Sequence, residues 1–415
     1  MRIAIVGTGV SGLVCAHLLG RRHDVTVFES DGRPGGHAHT VRIDLADETH
    51  EVDTGFLVYN ERNYPGLVRL FESLGVATKP SDMSFSVSDD MSGIEWRGTS
   101  LGTLFAQRRN VVRPAFLRML AEIVRFNRTA RALLRSERPS EQSLADLLAS
   151  GRWSTSFVNW YLIPMGSSIW SADPSTCLDM PAVAFARFFD NHGLLDYGDQ
   201  PLWRTVAGGS RTYVEAILDP LGSSVRLSSP VAKVTRRGDG VEVHSDMGPE
   251  QFDHVVLATH SDQALRILSD ASQAEREVLG AIRYQSNRAT LHTDERLLPR
   301  SRRAWASWNY HRLADQPRRA TLTYRLRSLQ GIDSAHEILI TLNRDDAIRE
   351  DRVLARFDYA HPVFDVAAMA AQRRHEELNG DRRTWYCGAY WGYGFHEDGV
   401  QSALSVCRRL AGESL

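Results

Sequence analysis

The sequence predicts an α/β fold in which a parallel-sheet domain is interrupted by a mixed α+β domain. Three observations predict it. A strand, a glycine turn, a helix and a second strand follow one another between Arg2 and Glu29. Far along the chain, Val255-Val256-Leu257-Ala258 is a continuous apolar run, as a parallel strand covered on both faces should be. Between these lie long helical stretches and alternating strands that do not continue one βαβ series.

The opening unit carries the first chemistry. Arg2-Ile3-Ala4-Ile5-Val6 is a short apolar strand that runs into Gly7-Thr8-Gly9-Val10-Ser11-Gly12, and a helix-compatible segment follows to Leu19. Gly7 makes the tight turn, Gly9 lets the backbone approach a pyrophosphate, and Gly12 lets helix and strand pack closely. The helix N-terminus at Val10 and Ser11 offers free N–H groups and a positive dipole end. The second strand, Asp24-Val25-Thr26-Val27-Phe28, ends on Glu29, twenty-two positions after Gly7, where a carboxylate accepts from ribose hydroxyls. An acid there favours FAD or NAD over NADP. Ser30 and a glycine pair, Gly35-Gly36, follow, with His37-Ala38-His39-Thr40 next. The pair allows a second close backbone approach to the same dinucleotide. A plain NAD domain has no use for such a pair.

Composition bounds the rest. The chain has 415 residues, 42% hydrophobic and 24% charged, which predicts two or three domains or one interrupted domain of an ordinary globular protein. A net charge of −2 gives no global electrostatic reason to bind nucleic acid. Cys15, Cys177, Cys387 and Cys407 show no CxxC and no metal spacing, so no metal site is expected and the thiols fit a reducing compartment. The first apolar run is too short for a signal sequence and no stretch is long enough to span a bilayer, so the expectation is a cytoplasmic protein.

Further along, Thr40 to Leu45 and His50 to Tyr59 read as strands. Residues 64–75 form an amphipathic helix with Leu67, Leu70, Phe71 and Leu74 on one face and Gly75 as its cap. Residues 83–88 and 93–96 suggest a hairpin. Residues 102–149 are helical, and nine arginines but two glutamates lie between Phe105 and Arg138. Such a basic amphipathic segment can lie on an anionic membrane on the inner face; the alternative is the solvated outer side of a core helix. An aromatic helix spans 153–170. From 200 the chain turns β-rich, with helices near 213–218, 261–268 and 273–281, further strands at 287–292, 304–310, 320–324 and 336–342, and a closing helix from about Gly399 to Leu410. The cofactor domain is thus expected at 1–80, 205–270 and 370–415, and the inserted substrate domain at 81–204 and 271–369.

The run from Glu29 through Gly35-Gly36 to Thr40 resembles the second fingerprint of the FAD-dependent amine oxidase and phytoene desaturase superfamily. Its layout is an amine-oxidase-like, Rossmann-type FAD domain interrupted by an α+β substrate domain. Val52-Asp53-Thr54-Gly55-Phe56-Leu57-Val58-Tyr59-Asn60, Asn191-His192-Gly193, Ser307-Trp308-Asn309-Tyr310 and Gly394-Phe395-His396-Glu397-Asp398-Gly399 narrow the match. Together they resemble bacterial NAD/FAD-binding oxidoreductases found beside cyclopropane-fatty-acid-synthase-like methyltransferases. The resemblance implies FAD, hydride transfer to or from an unsaturated or methyl-branched fatty acyl chain, and a SAM-dependent methyltransferase as partner; the sequence shows no obvious covalent attachment site, so the FAD is expected to be non-covalent. The resemblance also implies that Thr54, Gly55, Phe56 and Gly388 meet the cofactor and that a backbone group at Val231 holds adenine. Two departures stand out. The strand Ser286-Asn287-Arg288-Ala289-Thr290-Leu291-His292 lacks the lysine that amine oxidases place near flavin N5, and Gly388 is followed by Ala389-Tyr390 instead of an acid. The alternatives are therefore an amine or small-alcohol oxidase, and a flavin-binding partner protein without turnover.

A flavin does its own redox chemistry; the protein positions the reacting carbon and handles the proton. Backbone N–H groups at Asp398, Gly399 and Val400 are expected to stabilise negative charge on the reduced flavin. His396 and Glu397, just before that helix, are the candidate general bases; otherwise they are a structural histidine and a helix cap. Tyr310, Trp391, Tyr393 and His192 are the candidate pocket for a lipid or other small hydrophobic substrate, with ordinary core packing as the alternative. His37 and His39 read as part of the pyrophosphate and ribityl loop.

Overall fold

The structure, a computed structural model, describes residues 1–45, 48–136, 142–196, 198, 200–316 and 318–415. Glu137 and Arg138, at the end of the basic segment, lie outside the described residues. Strand β1 (Arg2–Val6), helix α1 (Val10–Leu19) and strand β2 (Asp24–Phe28) form the opening unit. Five strands make one parallel sheet in the order Val225–Arg226, β2, β1, His254–Leu257, Thr384–Tyr386. Its strands come from the start, the middle and the end of the chain, because each must pair with a neighbour that long insertions separate in sequence. Helix α1 is buried almost all round. It packs against Arg211–Leu218 and the closing helix His396–Ala411, which explains its lack of a polar face.

The second sheet has seven strands, in the order Val353–Pro362, Tyr284–His292, Leu339–Leu342, Leu322–Arg325, Trp308–Arg312, Phe85–Asp89, Ile94–Arg97. All neighbours are antiparallel except Trp308–Arg312 with Phe85–Asp89. Helices Pro114–Arg135, Ile163–Trp170 and Ala182–Asn191 share one hydrophobic core with this sheet. Residues 155–170 run as one helical rod, with a wide π-turn at Val158–Leu162 between two α segments.

Several elements differ from expectation: strand Val353–Pro362 was not predicted, and the strands expected at 304–310 and 336–342 are Trp308–Arg312 and Leu339–Leu342. The closing helix starts at His396, three residues early, because Asp398 Oδ2 accepts from Phe395 N–H at 2.9 Å and fixes the chain entry there. The strand predicted at 287–292 starts at Tyr284, since Tyr284 already pairs with Pro362.

Candidate active site

The two glycine turns meet. A Cβ placed on Gly7 would lie 2.8 Å from Ala258 O, and Gly7 has φ +101°, so this turn admits only glycine. A Cβ on Gly12 would collide with Gly7 O, while one on Gly9 would meet nothing within 4 Å. Gly9 therefore faces open space while Gly12 seals the helix to the strand. From the other side, a Cβ on Gly36 would lie 3.2 Å from Gly9 Cα. Leu13 N–H bonds Gly9 O at 2.9 Å, so the N–H groups of Val10, Ser11 and Gly12 are the first-turn donors without a helical acceptor. Glu29 is buried at the end of β2. Its Oε2 accepts from Thr8 N–H at 3.0 Å and from the Thr8 hydroxyl, and its Oε1 accepts from Asp31 N–H at 3.0 Å and Ser30 Oγ at 3.2 Å. These bonds fix the carboxylate beside the first glycine turn. Val231 lies in the apolar cluster with Val6 and Phe28, at the same end of the sheet.

The closing helix brings a second N-terminus to the first. A Cβ on Gly399 would lie 2.6 Å from Val10 Cγ1 and 3.0 Å from Ser11 Oγ, so glycine is what lets the two helix ends touch. Gly399 N–H is already bonded to Phe395 O at 3.1 Å, and Val400 is buried in the core. The donors left free are those of His396, Glu397 and Asp398, two residues earlier than the predicted Asp398, Gly399 and Val400. Gly388, one strand away, is tied to this helix by Ser402 Oγ, which accepts from Gly388 N–H at 3.0 Å.

The candidate bases sit differently from expectation. Glu397 Oε1 accepts from Gly66 N–H and Oε2 from Leu67 N–H, both at 2.9 Å. It caps helix Pro65–Leu74, whose first-turn donors have no other acceptor, so its carboxylate does not stand free as a general base. His396 stacks on Phe56 with ring centroids 3.7 Å apart and shares a 3.0 Å hydrogen bond with Tyr213 OH. Burial holds its pKa at about 3, so the ring is neutral. Asp398 is the group poised near neutrality: burial raises its pKa to about 7, against the pull of the Phe395 N–H.

A histidine group beside Phe56 was only partly visible in sequence. His37 lies 5.3 Å from His361 and 6.2 Å from His260, ring to ring, with Tyr359 at 5.0 Å. His37 Nε2 is buried and has no protein partner. Burial, followed by the neighbouring imidazoles, pushes the His37 pKa well down, and burial lowers His361 to about 4. Thr54 Oγ1 joins this group through Tyr359 OH at 2.7 Å and His39 Nδ1 at 3.0 Å. Gly55 packs on His37 O, and Phe56 N–H bonds that carbonyl at 2.8 Å. Tyr359 and His361 carry no local motif; their register opposite Asn287 and Gln285 brings them here.

The predicted pocket divides. His192 stacks on Phe188 at 3.9 Å, and Tyr393 meets Phe188 at 5.8 Å. Phe395, Trp170 and Trp203 complete that aromatic wall. Trp391 turns the other way and stacks on His375 at 4.0 Å. Tyr310 is buried within the seven-stranded sheet beneath helix Ile163–Trp170, a layer behind the wall. Aromatic character predicts that each ring is buried but not which core it joins. Neither lysine reaches the site: Lys79 lies against Gly331, and Lys233 is exposed. Among the described residues, no group of three or more His, Cys, Asp or Glu side chains could hold a metal ion.

Residues 10–362 match the flavin containing amine oxidoreductase family. The chain belongs to that family. The open space at Gly9, the converging helix N-termini and the unpartnered His37 Nε2 fit the flavin of that family, FAD. The Mycobacterium tuberculosis protein AofH, named as a flavin-containing monoamine oxidase, is 28% identical over 273 residues. That match takes in 62% of this chain, and the chain spans 56% of that relative's length. The fold is shared with cyclohexylamine oxidase from Brevibacterium oxydans, at TM-score 0.71, 16% identity and 99% of each chain. A CLA-producing fatty acid isomerase from P. acnes shares it too, at TM-score 0.70 and 15% identity over 99% of this chain and 98% of that one. No helix among the described residues is long and apolar enough to cross a membrane.

Proposed function

We propose that this amine oxidoreductase family member transfers hydride between FAD and an unsaturated or methyl-branched fatty acyl chain. The observation that carries the reading is the cluster of Phe188, His192, Tyr393, Phe395, Trp170 and Trp203, in which buried Phe188 and Trp170 back the partly exposed Tyr393, Phe395, Trp203 and a neutral imidazole, His192. Burial holds His192 at about pKa 4, so the ring adds no charge at neutral pH. An apolar chain loses little by desolvation against such a surface.

When bound, the flavin supplies the hydride acceptor or donor. The first-turn N–H groups of α1 would hold the pyrophosphate, and Glu29 the ribose. The N–H groups of His396, Glu397 and Asp398 would stabilise negative charge at the closing helix. Asp398 can hold or release a proton near neutral pH, and His37 and His361 present neutral imidazoles. The fatty acid isomerase that shares the fold supports an acyl substrate.

A second reading, amine oxidation, is favoured by the names of AofH and cyclohexylamine oxidase. An anaerobic visible spectrum separates the two. Vesicles of monounsaturated phospholipid should bleach the oxidised flavin while soluble amines leave it unchanged; the reverse pattern would replace the acyl substrate with an amine.

A further inference from the structure

We propose that the surface built on residues 101–128 docks this enzyme on an anionic lipid bilayer. Eight arginines and one carboxylate, Glu122, lie between Leu101 and Ser136. Glu122 is buried and committed to Ser154 N–H, Ser154 Oγ and Arg118, so it neutralises little of that charge. Arg109 and Arg113 spend their donors on the carbonyls of Gly93 and Ser92, which leaves their charge uncompensated by an acid. Arg108 and Arg128 are exposed and pair with no carboxylate among the described residues. Arg302 and Arg303, exposed and from a distant part of the chain, lie beside Leu101–Leu104, and Glu295 is 3.7 Å from Arg302.

The apolar side chains of this surface point outward. Val112 is 79% exposed, Leu101 76%, Val111 50% and Leu117 45%. Helix Pro114–Arg135 buries Phe116, Met119, Ile123, Phe126 and Ala130, and this satisfies its inward row. Leu117, Ala121 and Val124 form a second row on the exposed side, where a solvated helix would carry polar residues. Exposed valine and leucine set among arginines match an interface with acyl chains just below anionic headgroups. Nucleic acid would use the charge and leave the apolar residues in water. A second copy of the chain would bring the same arginines against each other. The surface is also close to the site: Phe126 meets Phe185 and Phe189 at 6.1 and 6.3 Å, and their helix carries Phe188 and ends beside His192.

The test is co-sedimentation of the full, FAD-loaded chain with vesicles of phosphatidylglycerol and phosphatidylcholine, or of phosphatidylcholine alone. Binding to the anionic vesicles only, weakened by salt, is expected. Arg108→Glu with Arg128→Glu should lower the partition on the order of twentyfold or more, and Val112→Asp with Leu117→Asp should lower it at least as far. These side chains are exposed, so an unchanged flavin spectrum certifies each variant as folded. Absence of binding to anionic vesicles overturns the proposal, as does full binding by both variants. So does a dimer that the Val112→Asp, Leu117→Asp variant dissociates, since a second copy would then be the occupant. The readout needs no turnover, so it stands or falls apart from the acyl-chain reading.

Discussion

Asn287 Nδ2 donates to His361 Nδ1 at 2.8 Å, on the strand that lacks the lysine carried by amine oxidases. The direction of that bond is forced. Arg288 N–H donates to Asn343 Oδ1 at 3.0 Å, so Asn343 Nδ2 must face Asn287 Oδ1, at 2.7 Å. Asn287 then has only its amide hydrogens to offer His361. The His361 proton is left on Nε2, and a pKa of about 4 keeps the ring neutral. The chain thus fixes one imidazole tautomer with a free donor beside His37, where a lysine would have placed a charge. Asn287→Ala should slow flavin reduction by substrate about tenfold or more through loss of that orientation. Nitrogen NMR of His361 should report an Nε2–H tautomer in the wild type and a mixture in the variant.

Glu397 is expected to act on stability more than on chemistry. Glu397→Ala leaves two buried N–H groups of helix Pro65–Leu74 without acceptors, a cost of about 2–4 kcal/mol. Thermal unfolding should show the loss, and flavin reduction per folded molecule should change less than about threefold, a small effect for a general base. A loss of several hundredfold with unchanged stability would make Glu397 the base after all.

Asp398 links stability to pH. Its carboxyl titrates at about 7 in the folded chain, above the usual carboxylate range, so the folded state holds a proton that the unfolded state has released. The sign follows: this group's contribution is full below about pH 4 and is lost as pH rises towards 7. Asp398→Asn keeps an acceptor for Phe395 N–H and removes the titration. Urea unfolding of the flavin-free chain across that range should show a smaller fall in stability for the variant than for the wild type.

Gly36→Ala should weaken FAD retention. The added methyl would press on Gly9 Cα at 3.2 Å and would sit on a backbone with φ +58°. Gly9→Ala meets no protein atom, so its folding should be near normal and its loss should fall on the cofactor, by about tenfold or more in affinity. Flavin released on gel filtration measures both.

The glycine turns and the cofactor were legible in the sequence because each rests on a local rule. A tight turn, a positive φ or a close backbone approach leaves only glycine, and glycine spacing survives as a pattern. The interrupted sheet was legible for a related reason: strands covered on both faces read as apolar runs wherever they fall. What only the tertiary structure decided is the use of the polar and aromatic side chains. Glu397 and Asp398 are neighbours, yet one caps a distant helix at Gly66 and the other is left to titrate near neutrality. Trp391 and Tyr393 are two residues apart, yet they join different cores. Asn287, His361 and His37 come from three separate stretches and meet only through sheet register and a loop. A hydrogen bond or a pKa depends on partners many residues away, and no local pattern encodes where the chain will bring them.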